Sequence, residues 1–334
     1  MLKVFVAVAV LFCTGARAND WGVRTHGPGW TYWRLGNPND VTTQTSPGVM
    51  FEGGGTDVND AYTWMCAKAG NGDFLVLRTY GTGDYNPYIQ RLCPGINSVS
   101  TLKLGVPKGA LDPFVLKTIS QAEAIFIAGG DQSTYVRYWQ GTPVQAAINA
   151  AAARGVPVGG TSAGNAVLAQ FAFSALRDTI TSHAALANCF ARRITIDDGF
   201  LALSTLLAGT ITDDHFVTRN RMGRLVTFMA RIRQSGAAAQ VSGIALDEHT
   251  AFLMEPSGAG TVVGDSTVYF LRSAAAPQVC ADKTPLTYTD IPVYRIRRSG
   301  TFNVQSWSGT NGTAYALSAT AGVLTSTQKG GKIY

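Results

Sequence analysis

The chain has 334 residues, with 27 Lys and Arg against 21 Asp and Glu and a formal net charge of +6. The basic residues form no runs and do not interleave with aromatic residues, which argues against a nucleic-acid-binding protein. The length is sufficient to bury a large core, as one large α/β domain or as such a domain with an appendage.

Residues 1–18, MLKVFVAVAVLFCTGARA, have the pattern of a secretory signal peptide. Lys3 precedes an apolar run, and the segment ends in the small-residue sequence Ala-Arg-Ala at residue 18. The apolar run is too short for a membrane anchor, and no later segment is apolar enough to span a bilayer. We therefore expect cleavage before Asn19, a secreted protein, and no membrane attachment after cleavage.

Four cysteines remain once Cys13 is removed with this segment. An even number of cysteines in a secreted chain predicts two disulfides, for which three pairings are possible. No Cys-x-x-Cys pair and no metal-ligand cluster occur, so we expect neither a metal nor a cofactor. Asn311-Gly312-Thr313 would accept a glycan in a eukaryotic host. The disulfide candidates are Cys66, Cys93, Cys189 and Cys280.

Short apolar strands alternate with helical stretches in the first half of the chain. This alternation predicts βαβ units around a parallel sheet. Ligands bind such sheets beyond the carboxyl ends of the strands, where Gly-rich turns fall at residues 53–55, 129–130 and 160–164. In chain order, the strand–helix pairs are GVMFEGGG with DVNDAYTWMCAKAG, DFLVLRTYGTG with YNPYIQRL, and AIFIAGGDQ with STYVRYWQG, and the helix–strand pair is AAINAAAARGVPVGG.

The pattern of predicted elements changes in the second half of the chain. Residues 165–175 are predicted to form a helix, and residues 215–236 carry apolar residues at helical spacing and end at Gly236. Residues 241–254 predict a strand, a turn and a second strand. From residue 258 the chain has short β-type runs rich in Ser, Thr and Gly. We expect an α/β catalytic domain over residues 19–257 and a β-rich portion, residues 258–334, packed on the same domain.

Ser162 lies in the pattern Gly-x-Ser-x-Gly, between a predicted strand and a predicted helix. A nucleophile elbow at such a turn needs small flanking residues, because the backbone is crowded there. The following helix would direct N–H groups at Ser162, and the N–H of Ala163 would stabilise an oxyanion. The alternative is that Ser162 only caps its helix.

A serine nucleophile needs a base, and the sequence offers two candidates, His215 and His249. His26 lies near the predicted mature N-terminus, and His183 has no acidic neighbour. The order Ser162, Asp213, His249 would indicate an α/β-hydrolase. The order Ser162, His215, Glu248 would indicate a class I glutamine-amidotransferase-like fold, and Asp247 or Asp214 could replace the acid. Spacing alone does not choose between these orders.

Four motifs in order resemble the cyanophycinase family of serine peptidases, relatives of peptidase E, an aspartyl dipeptidase. They are GGDQ at 129–132, GTSAG at 160–164, DDHFVTRNRMGRL at 213–225 and GIALDEHTA at 243–251. The resemblance implies an α/β, class I glutamine-amidotransferase-like fold. In that fold a mainly parallel sheet is flanked by helices and the nucleophile elbow lies at a strand–helix turn. It also implies a homodimer.

The resemblance also implies roles for individual residues. Ser162 would be the nucleophile, His215 the base and Glu248 the orienting acid, with backbone donors at Ala163 and Gly130 for the oxyanion. Asp214 departs from the family pattern and adds a negative charge beside the base. The arginines could also be a solvated helix face, and Asp213 with Asp214 a helix-terminal charge pair. The substrate-binding residues implied are Gln132, Asp213, Arg219, Arg221 and Arg224.

The expected function is a secreted serine exopeptidase that hydrolyses cyanophycin, multi-L-arginyl-poly-L-aspartate, to β-Asp-Arg dipeptides. An arginine-lined pocket would suit such a substrate, because guanidinium pairs with carboxylate through two parallel hydrogen bonds. Two alternatives remain open. One is an Asp-X or isoaspartyl dipeptidase of the same fold, and the other is a non-catalytic secreted protein that binds carboxylates.

Overall fold

The structure, a computed structural model, describes residues 20–334. The predicted signal peptide, residues 1–18, lies outside the described residues. Within the described part, seventeen strands form one mixed sheet, and seven α-helices accompany it. No helix of residues 20–334 is long and apolar enough to cross a membrane.

The strands and helices are numbered in chain order. The strands are β1 Val23–Gly27, β2 Trp30–Gly36, β3 Val49–Glu52, β4 Asp73–Arg78, β5 Ser98–Leu104, β6 Ala124–Ile127, β7 Val158–Thr161, β8 Phe171–Phe173, β9 Ile196–Asp198, β10 Thr210–Asp213, β11 Val241–Leu246, β12 Thr250–Met254, β13 Ala259–Gly264, β14 Thr267–Ser273, β15 Tyr288–Asn303, β16 Ser308–Thr320 and β17 Val323–Ser326. The helices are α1 Asn59–Lys68, α2 Tyr85–Leu92, α3 Pro113–Ser120, α4 Gln132–Trp139, α5 Pro143–Ala153, α6 Ser182–Ala187 and α7 Met222–Gln234.

The predicted parallel sheet is confirmed for the first half of the chain. Strands β5, β4, β6, β7 and β3 lie side by side in that order, and each neighbouring pair is parallel. Leu75 and Leu77 of β4 pack against helices α3 to α5, whereas Phe74 and Val76 pack against α1 and α2. Successive side chains of a strand point to opposite faces, so helices on both sides bury all of these residues.

The second half of the chain extends this sheet with antiparallel strands. Strand β12 pairs antiparallel with β3 and with β13, and β10 and β11 form a second parallel pair. The long strand β15 pairs with both β13 and β14, and β14 pairs with β11. Residues 258–334 therefore share one sheet with the preceding strands.

The predicted helix over residues 165–175 is wrong beyond its first turn. A 3₁₀ helix covers Ser162–Val167, and strand β8 follows. Phe171 and Phe173 are buried, and β8 pairs with β10 and β9. Sheet pairing of buried aromatic residues therefore overrides the helical tendency of the alanines around them. Ser162 consequently begins a short 3₁₀ turn and not the predicted longer helix.

Both predicted disulfides are present. Cys66 in α1 is joined to Cys93 directly after α2, and Cys189 after α6 is joined to Cys280 before β15. The second bridge closes a separation of 91 residues and the first a separation of 27. The longer loop restricts the unfolded chain more strongly.

Candidate active site

Ser162, His215 and Glu248 form a continuous chain of hydrogen bonds, called here the Ser–His–Glu chain. The Oγ of Ser162 lies 2.7 Å from Nε2 of His215, and Nδ1 of His215 lies 2.5 Å from Oε1 of Glu248. His215 is buried, while Ser162 and Glu248 are partly exposed. A hydroxyl, an imidazole and a carboxylate in this order can activate the hydroxyl as a nucleophile.

Ser162 follows strand β7 and has a left-handed backbone, with φ of 52°. The two glycines of its motif are needed because other backbone segments approach closely. A Cβ on Gly164 would lie 2.0 Å from the carbonyl oxygen of Ile127, and one on Gly160 would lie 2.7 Å from the backbone of Gly164. Glycine is therefore required at both positions for the chain to turn here.

The Gly-rich turn at residues 53–55, called here the glycine turn, holds His215 against Ser162. The N–H of His215 donates to the carbonyl of Gly53 over 2.8 Å. Gly54 has φ of 91°, and a Cβ there would lie 2.5 Å from Cε1 of His215 and 3.1 Å from Cβ of Ser162. The imidazole ring therefore occupies space that only a glycine leaves free.

The other candidate acids and bases lie elsewhere. Asp247 accepts hydrogen bonds from the N–H groups of Val217 and Thr218 and from the hydroxyl of Ser266, so it ties down the loop after His215. His249 is exposed, and its N–H donates to the carbonyl of Gly54. The order Ser162, Asp213, His249 is therefore not assembled in the structure.

Asp214 is paired with Arg221 beside the imidazole. Its carboxylate lies 3.7 Å from Nε2 of His215, and the Arg221 Nη1 lies 2.6 Å from the same carboxylate oxygen. Both side chains are largely buried. The negative charge expected beside the base is therefore compensated, and Arg221 is engaged by this chain's own carboxylate.

Arg224 and Asp213 form a buried pair, which corrects their expected role in substrate binding. Each side chain is 2% exposed. The Nε of Arg224 donates to Oδ2 of Asp213 over 2.9 Å, and Nη2 contacts Oδ1. The remaining Nη1 reaches the hydroxyl of Thr179. The first helical turn of α7 turns the Arg224 guanidinium into the core, so it is not available to a substrate carboxylate.

The other predicted substrate and oxyanion residues lie around Ser162 or at the surface. Gln132, at the start of α4, is partly buried, and its Nε2 donates to the carbonyl of Phe173 over 3.4 Å. Gly130 is exposed, Ala163 is buried, and Arg219 is exposed on the loop before α7. A Cβ on Gly129 would lie 3.5 Å from Cβ of Ser162, so the GGDQ turn borders the nucleophile candidate.

A cavity of about 290 Å³ adjoins Gly129 and was missed by sequence reasoning. Asp57 accepts hydrogen bonds from the hydroxyls of Tyr62 and Tyr85, and burial raises the pKa of this carboxyl. Arg78 is paired with Asp84. Arg78 is the last residue of β4 and Asp57 lies in the loop after β3, so both lie at the carboxyl ends of parallel strands, which is the sequence signal that could have found them. The lining residues are Asp57, Arg78, Asp84, Tyr85, Tyr88 and Gly129.

Two further observations concern a metal site and a second cavity. Residues 20–334 contain no cluster of three or more His, Cys, Asp or Glu side chains arranged to hold a metal ion. A larger cavity of about 630 Å³, bordered by Trp64, Leu253 and Phe302, contains no member of the Ser–His–Glu chain. The lining of the smaller cavity also lacks these three residues, but it includes Gly129, where a Cβ would lie 3.5 Å from Cβ of Ser162.

A family model described as peptidase family S51 matches residues 85–262, more than half of the chain. The chain belongs to peptidase family S51. The resemblance predicted from the four motifs is therefore confirmed at the level of the family. The match includes Ser162, His215 and Glu248, although it does not itself test their roles.

Curated relatives named cyanophycinase match part of this chain. That of Trichormus variabilis is 29% identical over 179 residues, which are 53% of this chain and 51% of the relative. That of Synechococcus elongatus is 28% identical over 176 residues, 52% of this chain and 49% of the relative. The chain thus spans about half the length of the curated relatives it matches. The crystal structure of a peptidase from an acI-B1 Actinobacterium has 18% identity and a TM-score of 0.49, and covers 71% of this chain and 96% of that one.

Replacing Arg224 with alanine is expected to destabilise the protein strongly. The change leaves the Asp213 carboxylate buried without its partner, which costs about 3–5 kcal/mol in the free energy of unfolding. Chemical denaturation monitored by circular dichroism measures this loss. The matched control is Arg219→Ala at an exposed position on the preceding loop, where the change should stay within about 0.5 kcal/mol. Equal stability of the two variants would contradict the buried pair.

Proposed function

We propose that this S51 peptidase is a secreted serine exopeptidase that hydrolyses cyanophycin to β-Asp-Arg dipeptides. The observation that carries the proposal is the Ser–His–Glu chain, whose members occur along the sequence in the order nucleophile, base, acid. The name of the curated relatives, cyanophycinase, supports the choice of polymer. The carboxyl groups and tyrosines beside Gly129 support a substrate that carries arginine.

The finer fold class belongs to the same proposal. We infer a class I glutamine-amidotransferase-like fold with Ser162 on a nucleophile elbow. Support comes from the position of Ser162 after a central parallel strand, from its left-handed backbone and from the glycines at 160 and 164. A serine at the carboxyl end of a parallel sheet faces the crevice where substrates bind.

The mechanism follows from the hydrogen bonds of the site. The Nδ1–H of His215 donates a hydrogen bond to the carboxylate of Glu248, so the lone pair of Nε2 faces the hydroxyl of Ser162. Ser162 Oγ attacks the scissile carbonyl carbon as Nε2 takes its proton, and the imidazolium then gives that proton to the leaving amine. A water molecule, activated by Nε2 of His215, then attacks the carbonyl of the acyl-enzyme. The acyl group leaves as an acid, and Ser162 Oγ recovers its proton. The backbone N–H groups of Ala163 and Gly130 are the proposed donors to the oxyanion.

The cavity beside Gly129 is the proposed site for the arginine side chain of the substrate. Asp57 offers a carboxylate there, and Tyr88 and Tyr85 offer ring faces that attract a guanidinium. Within the chain itself, Cζ of Arg78 lies 5.7 Å from the centre of the Tyr85 ring, a cation–π contact of this kind. Arg219 is exposed beyond the base and is the remaining candidate of the three arginines for a substrate carboxylate.

Secretion and dimerisation complete the proposal. The pattern of residues 1–18 supports export, and export suits an enzyme that degrades a polymer released by other cells. Two disulfides in the folded chain suit an oxidising compartment. The homodimer is carried over from the family resemblance.

Replacing Ser162 with alanine is expected to abolish hydrolysis while the fold is kept. Loss of a serine nucleophile removes most of the catalysis, on the order of 10⁶-fold in comparable peptidases. Release of dipeptides from cyanophycin measures activity, and circular dichroism measures the fold. A folded Ser162→Ala variant with normal activity would contradict the nucleophile assignment.

Two histidine variants provide the control for this assignment. His215→Ala should lose both hydrolysis and fluorophosphonate labelling, because the hydroxyl loses its base. His249→Ala should keep both, since this exposed side chain does not contact Ser162. A wild-type protein that the probe does not label would favour the non-catalytic carboxylate-binding alternative.

The substrate proposal predicts that wild-type protein clears insoluble cyanophycin and prefers it to Asp-X and isoaspartyl dipeptides. Asp57→Asn should lower kcat/KM for arginine-bearing substrate by about 10- to 100-fold, because a hydrogen bond to a charged group contributes about 1.5–3 kcal/mol. Asp60→Asn, at an exposed position of α1, is the matched control. Efficient cleavage of small dipeptides without clearing would support the dipeptidase alternative. An equal loss of kcat/KM on substrates with and without arginine would show that Asp57 does not select for the arginine side chain.

A further inference from the structure

Glu52 is a buried carboxyl that the proposed mechanism does not use. It is the last residue of β3 and has no exposed surface. Among residues 20–334, no Lys or Arg side chain forms a salt bridge with it. Burial, together with the neighbouring charge of Asp57, raises the pKa of Glu52 to about 8. The carboxyl therefore carries its proton at neutral pH.

The backbone of Glu52 lies between the strands that carry the nucleophile and the acid. It is in register with Thr161 of β7, the residue before Ser162, and with Ala251 of β12, three residues after Glu248. The glycine turn follows directly and receives the N–H of His215 at Gly53. Backbone pairing and the glycine turn therefore connect Glu52 to the segments that carry all three members of the Ser–His–Glu chain.

The side chain of Glu52 closes the loop that contains the glycine turn. Oε1 accepts the N–H of Val58 over 2.7 Å, at the residue before helix α1. Oε2 lies 3.2 Å from the hydroxyl of Tyr62, and the same hydroxyl lies 3.0 Å from Asp57. The carboxyl therefore joins residue 52 to residue 58 and fixes both ends of the turn.

We propose that Glu52 is a positioning residue that holds the glycine turn, and through it the His215 imidazole, against Ser162. This inference rests on the proposed function, because it takes Ser162 and His215 as the reacting pair. Without the bond to Val58 the turn is free to move away from Cε1 of His215. Displacements of this kind between reacting groups lower rates by about 100-fold per ångström.

The proton of Glu52 is part of this arrangement. The titratable groups that face it within residues 20–334 are Asp57, Tyr62, Tyr85 and Tyr88, none of which is basic. Burial raises the pKa of each of these tyrosines, so they stay neutral. When Glu52 ionises, two carboxylates therefore face each other in a buried site, which loosens the closed loop. The pKa of Glu52 lies above its ordinary value of 4.5, so its contribution to stability is complete below pH 4.5 and lost as the pH rises through about 8.

The test compares fluorophosphonate labelling rates of the full chain between pH 6 and pH 10 for wild type, Glu52→Gln and Glu52→Ala. Wild-type labelling should fall above pH 8. Glu52→Gln mimics the protonated carboxyl, so it should keep the rate at pH 7 and lack this fall. Glu52→Ala should label about 10- to 100-fold more slowly at pH 7 because the turn is no longer tied. With cyanophycin, the alanine variant should lose kcat while KM stays near the wild-type value.

Glu123→Gln is the matched control. Burial raises the pKa of Glu123 to about 7, and its carboxyl accepts the N–H of Asp73 at the start of β4, away from the Ser–His–Glu chain. Glu123→Gln should change how thermal stability depends on pH. Its labelling rate should depend on pH in the same way as that of wild type. A role in stability alone would therefore give Glu52→Gln and Glu123→Gln the same labelling profile, which would overturn the proposal.

The remaining outcomes also decide the question. A Glu52→Ala variant that folds and labels at the wild-type rate overturns the proposal. If Glu52→Ala does not fold, the comparison of Glu52→Gln with wild type still tests the proposal. A labelling rate that falls above pH 8 in both proteins would contradict it. If wild-type protein is not labelled at any pH, the proposed function itself fails, which separates the two results.

Discussion

The space left by Gly54 is the constraint on which the arrangement of the site depends. A Cβ on residue 54 would lie 2.5 Å from Cε1 of the His215 imidazole, so any larger residue would push the ring away from Ser162. The same turn accepts the N–H of His215 at Gly53 and that of His249 at Gly54. Strands β7, β3 and β12 are neighbours, and their adjacent ends bring the serine, the turn and the acid together. The hydrogen bonds of the Ser–His–Glu chain follow from this backbone arrangement.

Charge compensation is the second feature that shapes the site. The segment DDHFVTRNRMGRL places two aspartates and three arginines within twelve residues of sequence around His215. In the folded chain, Asp213 is paired with buried Arg224, and Asp214 is paired with Arg221. Only Arg219 is exposed to solvent. Two of the three arginines of this segment are therefore paired with the carboxylates that precede His215.

The site thus divides into a basic side and an acidic side. The His215 loop carries Arg219, whereas the cavity beside Gly129 carries Asp57, two tyrosines and the pair of Asp84 with Arg78. A substrate with both carboxylate and guanidinium groups suits such a division, because each charge meets its opposite. Glu52 connects the two sides through Tyr62 and Asp57, so the proton on one buried carboxyl influences both the cavity and the glycine turn.

The sequence by itself determined the local elements and the motif residues. Apolar runs of β4 and β6, the helical spacing of α7 and the glycines around Ser162 are local patterns, and their physical causes act over a few residues. Tertiary structure decided whatever depends on distant partners. Strand β8 forms because β10 lies beside it, Arg224 is buried because Asp213 faces it, and His215 rather than His249 meets Ser162 because the glycine turn holds it there. The cavity beside Gly129 and the role of Glu52 likewise arise only when strand ends that are remote in sequence meet at one edge of the sheet.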